Sequence, residues 1–232
     1  MNSIDKIYTK KPFYGSRRIG DDLRDYYDIF ICREHIQRLM RLMGIEAIYP
    51  KKKLNLSQNR TLHKTYSYLL KGYQITKPNQ VWGTDITYIR LEKGWAYLTA
   101  ILDWYSRYAV SWEISETMES DFCIANLQNA LEIALPEIHN SDQGVQFTDK
   151  KYTNILENRK VQISMDGRGR CMDNIFTERL WRTVKYENVF LKSYHSAADA
   201  RAGLKEYFNF YNTERRHMSL NNQTPEFVYQ NR

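Results

Sequence analysis

Cysteine is scarce in this sequence: three residues in 232, at Cys32, Cys123 and Cys171. An odd count without a Cys-x-x-Cys pair speaks against a disulfide framework and against a structural zinc site, and a reducing cytosol is the expected compartment. The five histidines are scattered and add nothing to a zinc reading. Long apolar runs are missing too, since no stretch reaches the roughly 18 residues that a membrane-spanning helix needs. The opening MNSIDKIYTKKPF has no apolar core of the kind a secretory signal carries. Internal repeats and low-complexity segments are absent. What these absences leave is an ordinary globular composition, 42 % hydrophobic and 26 % charged, long enough for one core domain and a smaller appendage.

The basic excess is uneven. Residues 1–60 hold 13 Lys and Arg against 7 Asp and Glu, whereas the other 172 hold 21 against 20, so nearly all of the +7 net charge lies in the first quarter. Such an arm attracts a polyanion, nucleic acid being the common one, or is simply a solvated tail. Within it Ile36, Leu39, Met40 and Met43 follow the helical spacing i, i+3, i+4, i+7, and Gly44 ends the run. Arg33, Arg38 and Arg41 fall on the opposite side of that helix. An earlier helix over about 15–26 turns Ile19 and Leu23 inward and Arg17, Arg18 and Arg24 outward. Two short basic helices in this order suit a helix-turn-helix whose second helix enters a major groove, a pattern shared by helical hairpins with other roles. Residues 1–49 are expected to form this small helical segment.

Pro50 and Pro78 bracket a polar, aperiodic stretch, read as a linker over 50–79 with one ordered piece near Tyr66–Tyr73. Residues 80–232 are read as the core. VWGTDITYIR and WAYLTAILDWYSRYAVSWEI are rich in β-branched and aromatic residues and predict a three-stranded antiparallel meander. A helix over about 119–135 follows, with Ile124, Leu127, Leu131 and Leu135 as its apolar face and Pro136 as its stop. Next come a short strand near 137–141, a helix near 148–159, the strand VQISM, and helices near 173–188 and 196–212, the last capped by Ser196 with Asp199 at its third position. This order predicts an α/β fold, a sheet with helices on both faces.

Three acids stand out. Asp85 sits in a strand that is apolar on both faces, so the strand is expected to be central and the carboxylate to need a partner, a bound cation or a distant basic group. Asp142, in HNSDQGVQF, falls where a short strand ends, the place where α/β sheets build sites, although Asp-x-Gly is also a common turn. Glu178, Arg182 and Lys185 share one side of a helix whose other side holds Phe176, Leu180, Trp181 and Val184. That side is a surface salt-bridge ladder or an acid with two cations behind it. Asp103 has Arg107 nearby for an ordinary ion pair, Asp166 precedes Gly167 in a turn, and Asp173 is read as a helix cap. Among the many aromatics, Trp104, Tyr105 and Tyr108 are candidates for stacking on bases.

TDITYI, NSDQGVQF and DNIFTERLWRTVK, with 35 residues between Asp142 and Glu178, resemble the D, D-35-E signature of transposases and retroviral integrases. The bacterial insertion-sequence branch made by frameshift fusion of two reading frames is the most similar, and YGSRRIGDDL, IQRLMRLMGIEAIYPKKK, PNQVWGTDITYI and FYNTERRHMSL extend the resemblance over essentially the whole chain. The resemblance implies a ribonuclease H-like mixed sheet flanked by helices. In it Asp85, Asp142 and Glu178 are both catalytic residues and ligands of Mg²⁺, or of Mn²⁺ as substitute, with two ions. It further implies Lys185 and Arg182 as DNA contacts beside Arg33, Arg38 and Arg41, and DNA strand cleavage and strand transfer at element ends through a circularised intermediate. The expected partners are element-end and target DNA, further copies of the chain on that DNA, and an upstream-frame helix-turn-helix protein; no membrane is involved, and a nucleoid-associated cytoplasmic location is implied. The chain begins only about a dozen residues before YGSRRI, as a downstream-frame product, a late start or a decayed copy would, and Arg216 stands where relatives often have proline. Competing readings are a metal-dependent nuclease of the same fold and a non-enzymatic DNA-binding regulator or inactive remnant.

Overall fold

The computed structural model describes residues 1–48, 64–167 and 174–231, and the chain divides into two compact units, 1–56 and 57–232. Cys171, Asp173 and residues 50–63 of the expected linker lie outside the described residues. The first unit holds three helices: α1 (Asn2–Lys10), α2 (Ser16–Tyr27) and α3 (Arg33–Leu42). The last two match the sequence reading, and α1 is an addition that closes the small core. Ile4 and Ile7 of α1 are buried with Ile19 and Leu23 of α2 and with Ile36 and Met40 of α3. Gly20 lets α2 and α3 approach, since a Cβ there would lie 3.0 Å from Ile36 Cδ1. Gly44 ends α3 with φ +67, and the Ile45 N–H closes back onto the Met40 carbonyl, the left-handed stop for which glycine is suited.

The second unit is built on five strands: β1 (Val81–Arg90), β2 (Trp95–Asp103), β3 (Ala109–Ser115), β4 (Ile138–Ser141) and β5 (Gln162–Met165), in the spatial order β3-β2-β1-β4-β5. Short connections make β1, β2 and β3 antiparallel neighbours, Gly94 at φ +88 turning the first of them. β4 and β5 run parallel to β1, each reached by a helical crossover. The helices are α4 (Asp121–Ile133), α5 (Val145–Thr148), α6 (Lys150–Asn158), α7 (Ile175–Val184), α8 (Phe190–Lys192), α9 (Ala197–Thr213) and α10 (Pro225–Gln230), and a π-helical turn, Lys185–Val189, joins α7 to α8. The result is the mixed, helix-flanked sheet that the resemblance implied. No helix among the described residues is long and apolar enough to cross a membrane.

Both faces of the sheet are covered. Leu98, Ala100 and Leu102 of β2 pack with Leu180, Trp181 and Val184 of α7 and with Leu204 and Phe208 of α9. On the other face Trp82 and Ile101 pack with Phe122, Cys123 and Leu127 of α4 and Leu156 of α6. Several local expectations change. The helix expected near 148–159 is α6, whose start is capped by the Asp149 carboxylate accepting the Lys151 N–H, and the short α5 ahead of it is an addition. Leu135 is 51 % exposed rather than on the apolar face of α4. The chain already leaves the helix at Ala134, φ −160, and the proline after Leu135 disfavours helical backbone there. Asp103 forms no ion pair with Arg107. Its carboxylate accepts the N–H groups of Asn79 and Ser106 and the Ser106 hydroxyl at 2.6–2.8 Å, while Arg107, at φ +62, lays its guanidinium 3.5 Å from the Phe176 ring centroid.

Residues 64–79 run along the core. The Leu69 N–H donates to Ser164 Oγ, Tyr66 and Tyr73 donate to Glu157 and Glu137, and Leu70 is buried with Val81, Trp104 and Ile138. The C-terminal motif is tied to the π-helical turn by a buried ion pair. Arg215 donates Nε and Nη2 to the two oxygens of Glu187 at 2.7 and 2.8 Å, and the Tyr207 hydroxyl donates to the same carboxylate. Glu187 is 8 % exposed and Arg215 5 %, so either charge alone would be stranded in a poorly solvating interior. Arg215→Met is expected to lower the unfolding free energy by about 3–5 kcal/mol in urea denaturation; a change under about 1 kcal/mol would show the pair to be incidental.

Candidate active site

The parallel register between β1 and β4 sets the site. Trp82 pairs with His139 and Gly83 with Asn140. Two residues further along both chains come Asp85 and Asp142, on the same face of adjacent strands, with Asp142 just past the carboxyl end of β4. β1 is the middle strand of the five, so Asp85 has sheet on either side of it and α7 above. Burial, and then the negative charge of Asp142, push its carboxyl up to about 7, against the Ile86 N–H and the Trp181 indole N–H that bind its ionised form at 2.8 and 3.0 Å. The Asp142 side chain reaches solvent; partial burial raises its pKa, and the Gly144 N–H, which binds Oδ1 at 2.9 Å, opposes that rise. Gly144 serves here by its small size: its φ is −63, and a Cβ would lie 2.8 Å from Asp142 Oδ1.

Glu178 is exposed in the first turn of α7. Its charge reaches Asp85 and adds to the upward push on that carboxyl. Among the described residues, however, no three Asp, Glu, His or Cys side chains stand close enough to form a ready metal cage. The structure therefore brings Asp85 and Asp142 together and leaves Glu178 at the rim. Two carboxylates side by side suit Mg²⁺, which is commonly held by one or two carboxylates, with water and substrate phosphate as its other ligands. A pair of ionised acids so close, one of them enclosed, is stable only with positive charge beside it. Lys185 supplies some of that charge: burial lowers its pKa, and the Asp85 carboxylate opposes the shift, which places the ammonium within electrostatic reach of the acid.

The helix bearing Glu178 is held down by polar and steric detail on β1. Asn174 Nδ2 donates to the Thr84 carbonyl at 3.2 Å, and Thr177 Oγ1 donates to Asn174 Oδ1. Trp181, one turn after Glu178, was expected only as part of the apolar arc. Its ring is buried, yet its N–H is the donor that fixes Asp85 Oδ2. The only signal for this in the sequence is the i, i+3 spacing from Glu178. Gly83 leaves room for the arrangement, since a Cβ there would lie 2.1 Å from Trp104 Nε1 and 3.0 Å from Thr177 Oγ1. Arg182 is exposed, its guanidinium 5.7 Å from the Tyr186 ring centroid. In the first unit Arg33, Arg38 and Arg41 are exposed on α3, opposite the buried Ile36 and Met40.

The chain is similar to known proteins. Two Integrase core domain families match residues 75–171 and 159–225, and an HTH-like domain family matches residues 1–53. The chain is 31 % identical over 217 residues to the uncharacterized 31 kDa protein of insertion element IS600 from Shigella sonnei, covering 91 % of this chain and 79 % of that one. It is 27 % identical over 227 residues to the putative transposase InsK for insertion sequence element IS150 of Escherichia coli K12, covering 96 % and 80 %. Among solved structures it is similar to the HTLV-2 integrase catalytic core domain in complex with magnesium, with a TM-score of 0.54, 16 % identity, and coverage of 66 % of this chain and 98 % of that one. It is also similar to a chain of the simian T-cell lymphotropic virus intasome bound to PP2A regulatory subunit B56 gamma, with a TM-score of 0.60, 14 % identity, and coverage of 99 % and 75 %. At such low identity the solved structures speak for the fold, a ribonuclease H-like core.

Gly83→Ala tests the close approach of α7 to β1. The added methyl must displace the Trp104 ring or Thr177, an overpacking of about 1–3 kcal/mol in chemical denaturation. A variant as stable as the parent would mean that the two elements yield freely at this point.

Proposed function

Since this chain belongs to the insertion-sequence transposases with an integrase core, enzymes of the polynucleotidyl transferase type, we propose that Asp85, Asp142 and Glu178 are the acids that carry its DNA cleavage and strand-transfer chemistry. The observation that supports this most is the strand register that sets Asp85 beside Asp142, with the helix of Glu178 anchored above them through Trp181 and Asn174. Integrase-type cores depend in general on divalent metal. In our reading the two Asp carboxylates hold Mg²⁺, or Mn²⁺ in its place, and Glu178 joins them from the rim to make room for a second ion. Ions so bound offset charge on the scissile phosphate and on the departing oxygen.

The residues of the chain do the rest. The indole of Trp181 and the Ile86 N–H keep the Asp85 oxygens in fixed directions, and the Gly144 N–H does the same for Asp142. Lys185 and Arg182, on the same side of their helix as Glu178, contact the phosphates of the bound strand. In the first reaction the oxygen of water attacks phosphorus and the 3′ oxygen leaves with a proton, freeing a 3′-OH at the element's end. In the second, that hydroxyl attacks a phosphodiester of the receiving DNA. A new phosphorus–oxygen bond forms, the old 3′ oxygen departs with a proton, and the number of phosphodiester bonds is conserved. The exposed arginines of α3 lie along a major groove and several copies of the chain act together on the DNA. Synthesis as a downstream-frame product working with an upstream helix-turn-helix protein extends this reading; an overlapping upstream frame with a slippery stretch in the surrounding DNA is its test.

Asp85→Asn, Asp142→Asn and Glu178→Gln should each abolish cleavage of element-end DNA with Mg²⁺ while leaving DNA binding intact, as seen on denaturing gels. Cleavage that survives all three removes the assignment. Because Asp85 titrates near pH 7 before it meets a cation, Mg²⁺ affinity should rise as pH goes from about 6 to 8, and binding at pH 7 should release protons. Calorimetry in buffers of different ionisation enthalpy reads that release, and Asp85→Asn should eliminate it. For the helical unit, replacing Arg38 and Arg41 by alanine should reduce the slope of log K against log salt by roughly 2, about one per lost phosphate contact. An unchanged slope would put the DNA on another face.

A further inference from the structure

Beside the carboxylates lies a second feature that the cleavage chemistry does not use. A cleft of about 460 Å³ opens between residues 64–79, the β2–β3 turn and the start of α7. Its walls are aromatic, with Tyr68, Tyr73, Trp104, Tyr105 and Phe176 contributing, and Arg107 is the charged residue among them. The volume is that of a small-molecule site. Two of its residues, Trp104 and Tyr105, are ones whose position in the sequence suggested base stacking; the third, Tyr108, is instead stacked on Tyr229 at 4.5 Å, 12° from parallel.

The charge of Arg107 is favoured by the field of Tyr211 and Asp103 but has no direct ion-pair partner among the described residues. Asp103, the nearest acid in sequence, is engaged by backbone and Ser106 donors. Arg107 makes no ion pair among the described residues, and its buried Nη1 has no hydrogen-bond partner there. Arg179, exposed on α7, is close enough to oppose the charge on Arg107, whose pKa burial has already lowered to about 10. Two guanidinium groups that repel one another are stabilised by an anion, and a ring-walled cleft favours a flat, conjugated group. Position adds to this. The Trp104 backbone N–H binds the Val81 carbonyl, four residues from Asp85 along β1, or about 13 Å. One DNA strand can therefore reach both places.

We propose that this cleft binds a single unstacked nucleotide of the DNA substrate, its base against the Tyr73, Tyr105 and Phe176 rings and its phosphate at Arg107 and Arg179. The inference rests on the chain acting on DNA, as proposed above, and adds a site for a frayed or single-stranded unit next to the cleavage centre. Stacking of this kind tolerates any base, so a mixed-sequence probe serves.

The test uses the full chain and a DNA duplex with a single-stranded overhang that carries 5-iododeoxyuridine for photo-cross-linking, or 2-aminopurine for fluorescence. Cross-links should map by mass spectrometry to the peptides of Tyr73, Tyr105 or Phe176, and 2-aminopurine emission should fall on binding. Tyr73→Ala, at an exposed position, and Arg107→Gln should each weaken overhang binding by about fivefold or more and leave blunt-duplex binding unchanged. Cross-links confined to other peptides, or equal overhang affinity in the variants, overturn the proposal. So does a change in oligomeric state with unaltered overhang affinity, which would make the cleft a protein contact. Asp85→Asn separates the two readings: cross-linking in the cleft should persist in it without cleavage. A parent protein that cross-links there yet never cleaves would sink the catalytic assignment alone.

Discussion

An acid in the middle strand of a sheet, set level with another acid just past the end of the next strand, is the constraint around which this core is arranged. The register of β1 and β4, with Gly83 beside Asn140, carries Asp85 and Asp142 to neighbouring places two residues further on. The like-charge repulsion is then managed from outside the pair. Donors from Trp181, Ile86 and Gly144 hold the oxygens, and the Lys185 ammonium stands within reach. An apolar sheet would be easier to fold. The strain of concentrating negative charge is what makes the position a place for cations and phosphate.

Keeping α7 on that sheet takes work from two directions. From below, Gly83 offers no side chain and the Thr84 carbonyl accepts from Asn174, so the helix lies close to β1. From the far end, the π-helical turn Lys185–Val189 is locked by Glu187 with Arg215 and Tyr207, and by Asn188 with Tyr194 and the Gly203 carbonyl. The C-terminal motif FYNTERRHMSL thus acts at a distance, fixing the turn in which Lys185 sits. π-Helical turns cost regular hydrogen bonding and recur beside functional sites, which fits this location.

The strands, their order of type and most helices were legible because each carries a periodic pattern. The i, i+3, i+4 run of α3, the β-branched and aromatic enrichment of β1 and β2 and the Ser196–Asp199 cap of α9 are local signals, and they reappear in the structure. Where the reading slipped, a local competitor decided. The backbone ahead of Pro136 releases Leu135 from α4. Asp103 is held by two donors of its own turn, both from Ser106, and by the distant Asn79 N–H, rather than by a long, costly arginine side chain. α1 was missed because it has little core of its own, and its Ile4 and Ile7 gain burial only against the other two helices.

The sequence by itself determined which residues carry charge in apolar surroundings, where elements begin and end, and that three acids lie in contexts shared with integrases and transposases. It could not determine which side chains meet. The neighbour of Asp85 lies 57 positions away, and its indole donor 96. The cleft at Arg107 draws on three separate segments. Only tertiary structure decides these, because strand register and helix–sheet packing are set by long-range burial and hydrogen bonding, which leave no periodic trace in any one stretch of chain.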